Sequence, residues 1–177
     1  ILKYYGADPI LEKYLKKIKK TELIKKIKKI TINRSNIKII VQKKPEGLGN
    51  AILKSEKYLK GEDFCVILPD DLIKENNCSR QLINAYNKKN ACVLGVIEVP
   101  REEVDKYGII DSSLISGRNI KIKNLIEKPN KSLAPSNLAI VGRYVLKNKI
   151  FKYLRLTKKG SGGEYQLTDA ISLYNKD

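Results

Sequence analysis

Apolar positions along residues 11–30 recur at three- and four-residue spacing in two sets: Leu11, Leu15 and Ile18, then Leu23, Ile24, Ile27 and Ile30. At about 100° per residue the second stripe lies well round the helix from the first, so one straight helix cannot bury both. The pattern predicts two helices, or a kink near Lys20 and Thr21. A polar turn over 33–36 then gives way to the β-rich run 37–42, closed by Lys43, Lys44 and Pro45, which predicts a strand and its stop. Gly47-Leu48-Gly49-Asn50 leads into a helix over 51–60 ended by Gly61.

Residues 64–68 (Phe-Cys-Val-Ile-Leu) form a continuous apolar run of the kind buried on both faces of a parallel sheet, stopped by Pro69-Asp70-Asp71. A helix over 79–88 and a second buried-strand run over 91–99 follow. Strands alternating with helices predict a largely parallel, doubly wound arrangement with right-handed crossovers. The pattern then changes. Short strands over 109–111, 120–127 and 138–145, with Ser116-Gly117-Arg118-Asn119 as a polar turn, predict antiparallel additions at the sheet edge. Helices over 148–156 and 168–174 close the chain around a flexible joint at 158–163. The fold class expected is α/β, a mixed sheet flanked by helices with antiparallel additions, in one domain. Residues 1–36 form a basic helical segment of that domain and 37–177 its sheet-forming part.

Composition agrees with one folded domain: 177 residues, 42% hydrophobic and 31% charged. No apolar stretch is long enough for a membrane span, and no leader pattern opens the chain, so a cytoplasmic location is expected. Cys65, Cys78 and Cys92 match neither a zinc nor a redox spacing, and His is absent. Histidine-based acid–base chemistry and serine-protease-like triads are thereby excluded, leaving carboxylates, lysines, backbone dipoles or a metal. Thirty-six Lys and Arg against 19 Asp and Glu give a net charge of +17, densest before Lys44. Such an excess suits phosphate-bearing partners, and equally a compositional drift toward Lys, Ile and Asn. The lysine-rich helices also suit a nucleic acid or a membrane surface, against which their narrow apolar stripes lack Trp or Phe anchors.

Three places could carry chemistry. Asp70 and Asp71 follow a buried strand, where open α/β sheets bind ligands, and a carboxylate there suits Mg²⁺; the same pair also suits a turn or a helix cap. Gly47-Leu48-Gly49 could let a flat or anionic ligand approach the backbone, or form an ordinary turn. Glu127 and Lys128 end a strand with opposite charges that the pleat points apart, one able to accept from hydroxyls and the other to neutralise a phosphate. A solvated strand end would read the same way.

In order, several strings resemble the sugar-phosphate nucleotidyltransferases, and closely their bacterial UTP–glucose-1-phosphate uridylyltransferase branch. They are Val41-Gln42, Gly47-Leu48-Gly49-Asn50-Ala51, Val66-Ile67-Leu68-Pro69-Asp70-Asp71, Tyr107-Gly108-Ile109-Ile110-Asp111, Glu127-Lys128-Pro129, the run 134–144 from Ala134 to Tyr144, and Gly162-Gly163-Glu164-Tyr165-Gln166-Leu167-Thr168-Asp169-Ala170. The resemblance covers most of the chain from Ile37 onward and implies a nucleotidyltransferase-type, Rossmann-like sheet. The implied reaction transfers a uridylyl group from UTP to glucose 1-phosphate, giving UDP-glucose and pyrophosphate. Gln42 and Gly47 would contact uracil, and Asp70 would ligate Mg²⁺ between the two phosphates. Gly108 would lie against glucose, Glu127 would accept its hydroxyls and Lys128, with Asp70 the other catalytic residue, would neutralise its phosphate. Asn137, Val141 and Gly142 would line the sugar pocket, with Glu164 and Gln166 in structural roles.

The family also has a first strand with a Gly-rich loop and a second metal-binding Asp, neither matched within residues 1–177. The chain is therefore expected to be a fragment truncated at both ends. Its companions would be a further segment, a companion chain or a second copy, with no nucleic acid and no membrane span. An inactive remnant or one piece of a split enzyme is the alternative.

Overall fold

A computed structural model describes residues 8–30, 36–74, 77–116 and 118–177. The chain divides into two compact units, Ile1–Val41 and Gln42–Asp177. Among the described residues no helix is long and apolar enough to cross a membrane.

In the first unit, helices α1 (Pro9–Lys17) and α2 (Thr21–Ile30) realise the two apolar stripes as separate helices. The Asp8 carboxylate caps α1 by accepting from the backbone N–H groups of Ile10 and Leu11, both at 3.0 Å, and Pro9 stands where its missing N–H costs nothing. Lys19 takes a left-handed conformation (φ 55°), which breaks the helix where the stripe rotates. The Glu12 carboxylate pairs with Lys16 on α1 and with Lys28 on α2.

The second unit holds α3 (Leu48–Leu53), α4 (Glu56–Leu59), β1 (Phe64–Ile67), α5 (Cys78–Lys89), β2 (Val93–Glu98), β3 (Gly108–Ser116), β4 (Asn119–Glu127), β5 (Leu138–Leu146), α6 (Ile150–Leu156) and α7 (Leu167–Lys176). The expected 51–60 helix is two short pieces, and the 158–163 joint contains a single 3-10 turn, Ser161–Gly163. The mixed α/β architecture with flanking helices is as expected, but the largely parallel sheet is not. Every strand pairing described is antiparallel. The alternation of strand and helix does send β1 and β2 the same way, as the apolar runs suggested. However, β5 inserts between them and pairs antiparallel with both, at Val66↔Tyr144 and Leu94↔Tyr144. Burial patterns cannot reveal such an insertion, because a strand enclosed by antiparallel neighbours is as apolar as one enclosed by parallel ones.

Residues 37–42 form no strand either. Ile39 and Val41 are 66% and 73% exposed. An apolar β-branched run becomes a strand only where a neighbour completes its hydrogen-bond ladder, and among the described residues none pairs with it.

β5 organises the sheet, flanked by β2 along one edge. On its other edge Ala139 pairs with Ile109 of β3, and residues 143–146 pair with β1. Since Ala139 also pairs with Ile97 and Tyr144 with Leu94, β1 and β3 must share that second edge, lying one after the other. The core lies against this sheet: Ile150, Phe151, Tyr153 and Leu154 of α6 meet Leu167, Ala170 and Ile171 of α7 over Ile110, Leu125, Ile140 and Leu146. Phe64 stacks on Phe151 with ring centres 5.2 Å apart. A smaller cluster of Val99, Val104, Ile109, Ala134 and Ala139 anchors the start of β3.

Candidate active site

Where β1 ends and β3 begins, the edge of β5 changes partner over Ile140–Gly142, and the register on its opposite edge slips at the same place. Leu94 faces Tyr144 and Val96 faces Ile140, so three residues of β5 stand opposite Gly95 alone. A bulge of this kind bends a strand and re-aims its side chains. Gly95 is required because Val141 Cγ2 lies 2.9 Å from where a Cβ would stand. Sequence reasoning passed over Gly95, although a glycine inside an apolar strand is a bulge signal.

The turn after β1 is latched to this bulge. The backbone N–H of Leu68 donates to Gly142 O (2.9 Å), and Gly142 N–H donates to Asp71 Oδ2 (2.6 Å). The Arg143 guanidinium donates to the carbonyls of Leu68 (2.8 Å), Gly142 (2.8 Å) and Asp71 (2.6 Å). The two adjacent aspartates therefore do different work. Asp71 is half-buried and held by the backbone, whereas Asp70 is exposed and, among the described residues, makes no hydrogen bond or ion pair. An unengaged carboxylate at the end of a strand fits a hard divalent cation that takes its other ligands from water and phosphate oxygens. No His, Cys, Asp and Glu side chains gather in threes among the described residues. Arg143 was not singled out from the sequence, although a charged side chain in the middle of an apolar strand is a readable signal.

At the start of β3, Gly108 pairs with Glu127 at the end of β4. A Cβ on Gly108 would stand 2.8 Å from Thr168 Cγ2, 3.1 Å from Glu127 Oε2 and 3.2 Å from Ile140 Cδ1, so only glycine lets the carboxylate and the Thr168 methyl pack this close. Burial, the largest influence, raises the Glu127 carboxyl above its ordinary range; the Thr168 hydroxyl, donating to Oε2 at 2.9 Å, and the Lys128 ammonium oppose it. Lys128 itself is exposed, holds a left-handed φ of 45°, and donates its backbone N–H to Tyr107 O.

Gln42 and Gly47 also come together. Gln42 Nε2 donates to Gly47 O (3.1 Å) and to Asn50 Oδ1 (3.0 Å). Gly47 has φ 92°, and a Cβ there would stand 2.8 Å from Tyr165 O. Tyr165 pairs with this loop on both sides: its N–H donates to Glu46 O, and its carbonyl accepts from Gly49 N–H, each at 2.9 Å. Residues 164–168 thus join the Gln42–Gly47 loop to Glu127, through the Tyr165 backbone at one end and the Thr168 hydroxyl at the other.

The remaining candidates make contacts of their own. Asn137 donates from Nδ2 to Glu98 Oε1 (2.9 Å) at the far end of β2. Val141 and Asp71 line a cavity of about 720 Å³ with Gly95 and Leu82, and this cavity includes none of Gly108, Glu127, Lys128 or Thr168. Gln166 donates to Ser161 O (3.0 Å), a structural contact.

The family model described as Nucleotidyl transferase matches residues 7–177. A UTP–glucose-1-phosphate uridylyltransferase of Bacillus subtilis (strain 168) is 45% identical over 174 residues, covering 98% of this chain and 59% of the relative. One from Staphylococcus haemolyticus (strain JCSC1435) is 42% identical over 175 residues, with 98% and 60% covered. The chain therefore spans about three-fifths of the length of these curated relatives. Among solved structures, a UDP-glucose pyrophosphorylase complexed with UDP-glucose aligns with a TM-score of 0.81 at 36% identity, over 98% of this chain and 64% of the other. A UTP-bound UGPase from Acinetobacter baumannii aligns with a TM-score of 0.78 at 36% identity, over 99% and 62%.

Proposed function

Because the chain belongs to the nucleotidyl transferase family, we propose that it carries the base-reading loop and sugar-reading carboxylate of an enzyme that transfers a uridylyl group from UTP to glucose 1-phosphate, giving UDP-glucose and pyrophosphate. The observation that carries this reading is the placement of Glu127. Its carboxylate is half-buried in the space that Gly108 leaves by lacking a side chain, and one segment ties it to the Gln42–Gly47 loop. The Bacillus and Staphylococcus relatives, UTP–glucose-1-phosphate uridylyltransferases, support the same substrates.

Each residue's part follows from its surroundings. With Nε2 engaged by Gly47 and Asn50, Gln42 offers Oε1 as an acceptor for the imide N–H of uracil, and Gly47 adds its backbone to that contact, its missing side chain making room for the Tyr165 backbone that holds the loop. Ionised Glu127 accepts from sugar hydroxyls beside Gly108, whose missing side chain makes room for Oε2 and the Thr168 methyl. Exposed Lys128 neutralises the sugar phosphate, and Val141 and Gly142, in the β5 bulge opposite Gly95, line the sugar pocket. Asp70 would hold Mg²⁺, which when bound supplies positive charge shared by the phosphates of both substrates. An oxygen of glucose 1-phosphate attacks the α-phosphorus of UTP in line; the new P–O bond forms as the bond to pyrophosphate breaks, and pyrophosphate leaves with the electron pair. The chain's contribution is positioning and charge neutralisation, which suits a site without histidine.

The test uses the full polypeptide as its own cell makes it, with UTP, glucose 1-phosphate and Mg²⁺, following pyrophosphate release. UDP-glucose should form only when both substrates are present. Asp70→Asn should lower turnover roughly 100-fold or more, leaving the thermal midpoint unchanged because that carboxylate is exposed and unengaged. Near-normal turnover in Asp70→Asn removes the metal role, and absence of UDP-glucose with wild type removes the reading.

A further inference from the structure

Resting on that reading, we propose that Thr168 is the positioning residue for sugar recognition: its hydroxyl fixes Oε2 of Glu127 so that Oε1 alone faces the glucose hydroxyls. Thr168 is 5% exposed and stands in the first turn of α7, next to Leu167 at 2% exposure and two residues before Ala170 at 0%. Its backbone is thereby anchored in the main core, and as a β-branched residue it has few side-chain conformations. The hydroxyl donates to Glu127 Oε2 at 2.9 Å, and the methyl group fills the space that a Gly108 side chain would occupy. Oε2 is thus held by Thr168 and lies 3.1 Å from where a Gly108 Cβ would stand, while Oε1 has no hydrogen-bond partner among the described residues. A carboxylate pinned at one oxygen presents the other in a single direction, and reading a ring of hydroxyls by geometry requires that.

Thr168 also acts on the charge state. Glu127 is raised by burial and further by the nearby charges of Asp169 and Glu164, with Tyr144 facing it from β5; the Thr168 hydroxyl and Lys128 oppose these. Loss of the hydroxyl removes one of the two influences that keep the carboxylate ionised. A residue serving only to pack α7 would leave this balance unaltered.

The experiment measures binding of UDP-glucose and of UDP by calorimetry to the full polypeptide, to Thr168→Val and to Thr168→Ser, between pH 5 and pH 8. Thr168→Val keeps the shape and loses only the hydroxyl. UDP-glucose should bind it roughly tenfold more weakly, with UDP unchanged, which is the order expected for a charge-assisted hydrogen bond. The acid-side loss of UDP-glucose binding should move to higher pH, and Thr168→Ser should restore most of the affinity. Wild-type UDP-glucose affinity in Thr168→Val, or equal loss of UDP and UDP-glucose without rescue by serine, overturns the proposal. Wild type that binds UDP-glucose no better than UDP overturns the functional reading and this inference with it.

Discussion

Replacing Arg143 by Met tests what holds the Asp70–Asp71 turn. The substitution keeps an unbranched stem of similar reach and removes one guanidinium that donates to three carbonyls, those of Leu68, Gly142 and Asp71, at 2.6–2.8 Å. A hydrogen bond from a charged donor contributes about 1.5–3 kcal/mol. The three do not add in full, because one side chain makes them all, the half-buried Leu68 and Asp71 carbonyls regain water in its absence, and the buried Gly142 carbonyl keeps the Leu68 N–H. A net loss of about 2–3 kcal/mol follows, and in a chain of this length each kcal/mol moves the thermal midpoint by about 2–4 °C. Circular dichroism melts should therefore show the midpoint lowered by about 4–12 °C, and urea titrations a lower midpoint at unchanged slope. Arg143→Lys keeps the charge but not the planar fork, so it should fall between wild type and Arg143→Met. A shift of less than about 1 °C in Arg143→Met would refute the latch, since on this scale it would correspond to under half a kcal/mol.

Glu127→Gln should raise the thermal midpoint at neutral pH while weakening UDP-glucose binding. The native carboxyl is raised above its unfolded value, so its contribution to stability is fully present below the unfolded pKa and lost as pH rises through the folded one. The advantage of the glutamine variant in melts should accordingly shrink as pH falls through that window, and an advantage independent of pH would contradict it. Gly142→Ala brings a Cβ to 2.5 Å from both Asp71 Oδ2 and Leu68 Cβ; urea titrations should show a loss of about 1–3 kcal/mol.

Much of the fold was legible where local pattern and final partner coincide. The break near Lys20 and Thr21, the β3–β4 hairpin and the helices α5, α6 and α7 all follow from spacing that the finished structure merely fills. What failed depended on distant chain. Residues 37–42 have strand composition without a neighbouring ladder, and the direction of β1 and β2 relative to their neighbour was decided by β5, far along the sequence. The site divides in the same way. Glu127 at the end of β4 and Asp70 just past β1 stand where resemblance and local pattern both pointed, and Gly108 at the start of β3 where the resemblance alone did. Thr168 and Arg143 act on partners 41 and 75 residues away and gain meaning only once those contacts form.

The central place of β5 also has a consequence for how the chain is made. Cys65 of β1 finds its ladder partner at Val145, some 80 residues later in synthesis. At roughly 5–20 residues per second the strand waits about 4–16 s on the ribosome for that partner. Until β5 emerges, the apolar runs of β1 and β2 lack the described strand that covers their backbone edges. Folding is therefore a late event dominated by long-range pairing rather than a stepwise one, and the nascent chain should depend on chaperone protection most heavily in the interval before residue 146 is synthesised.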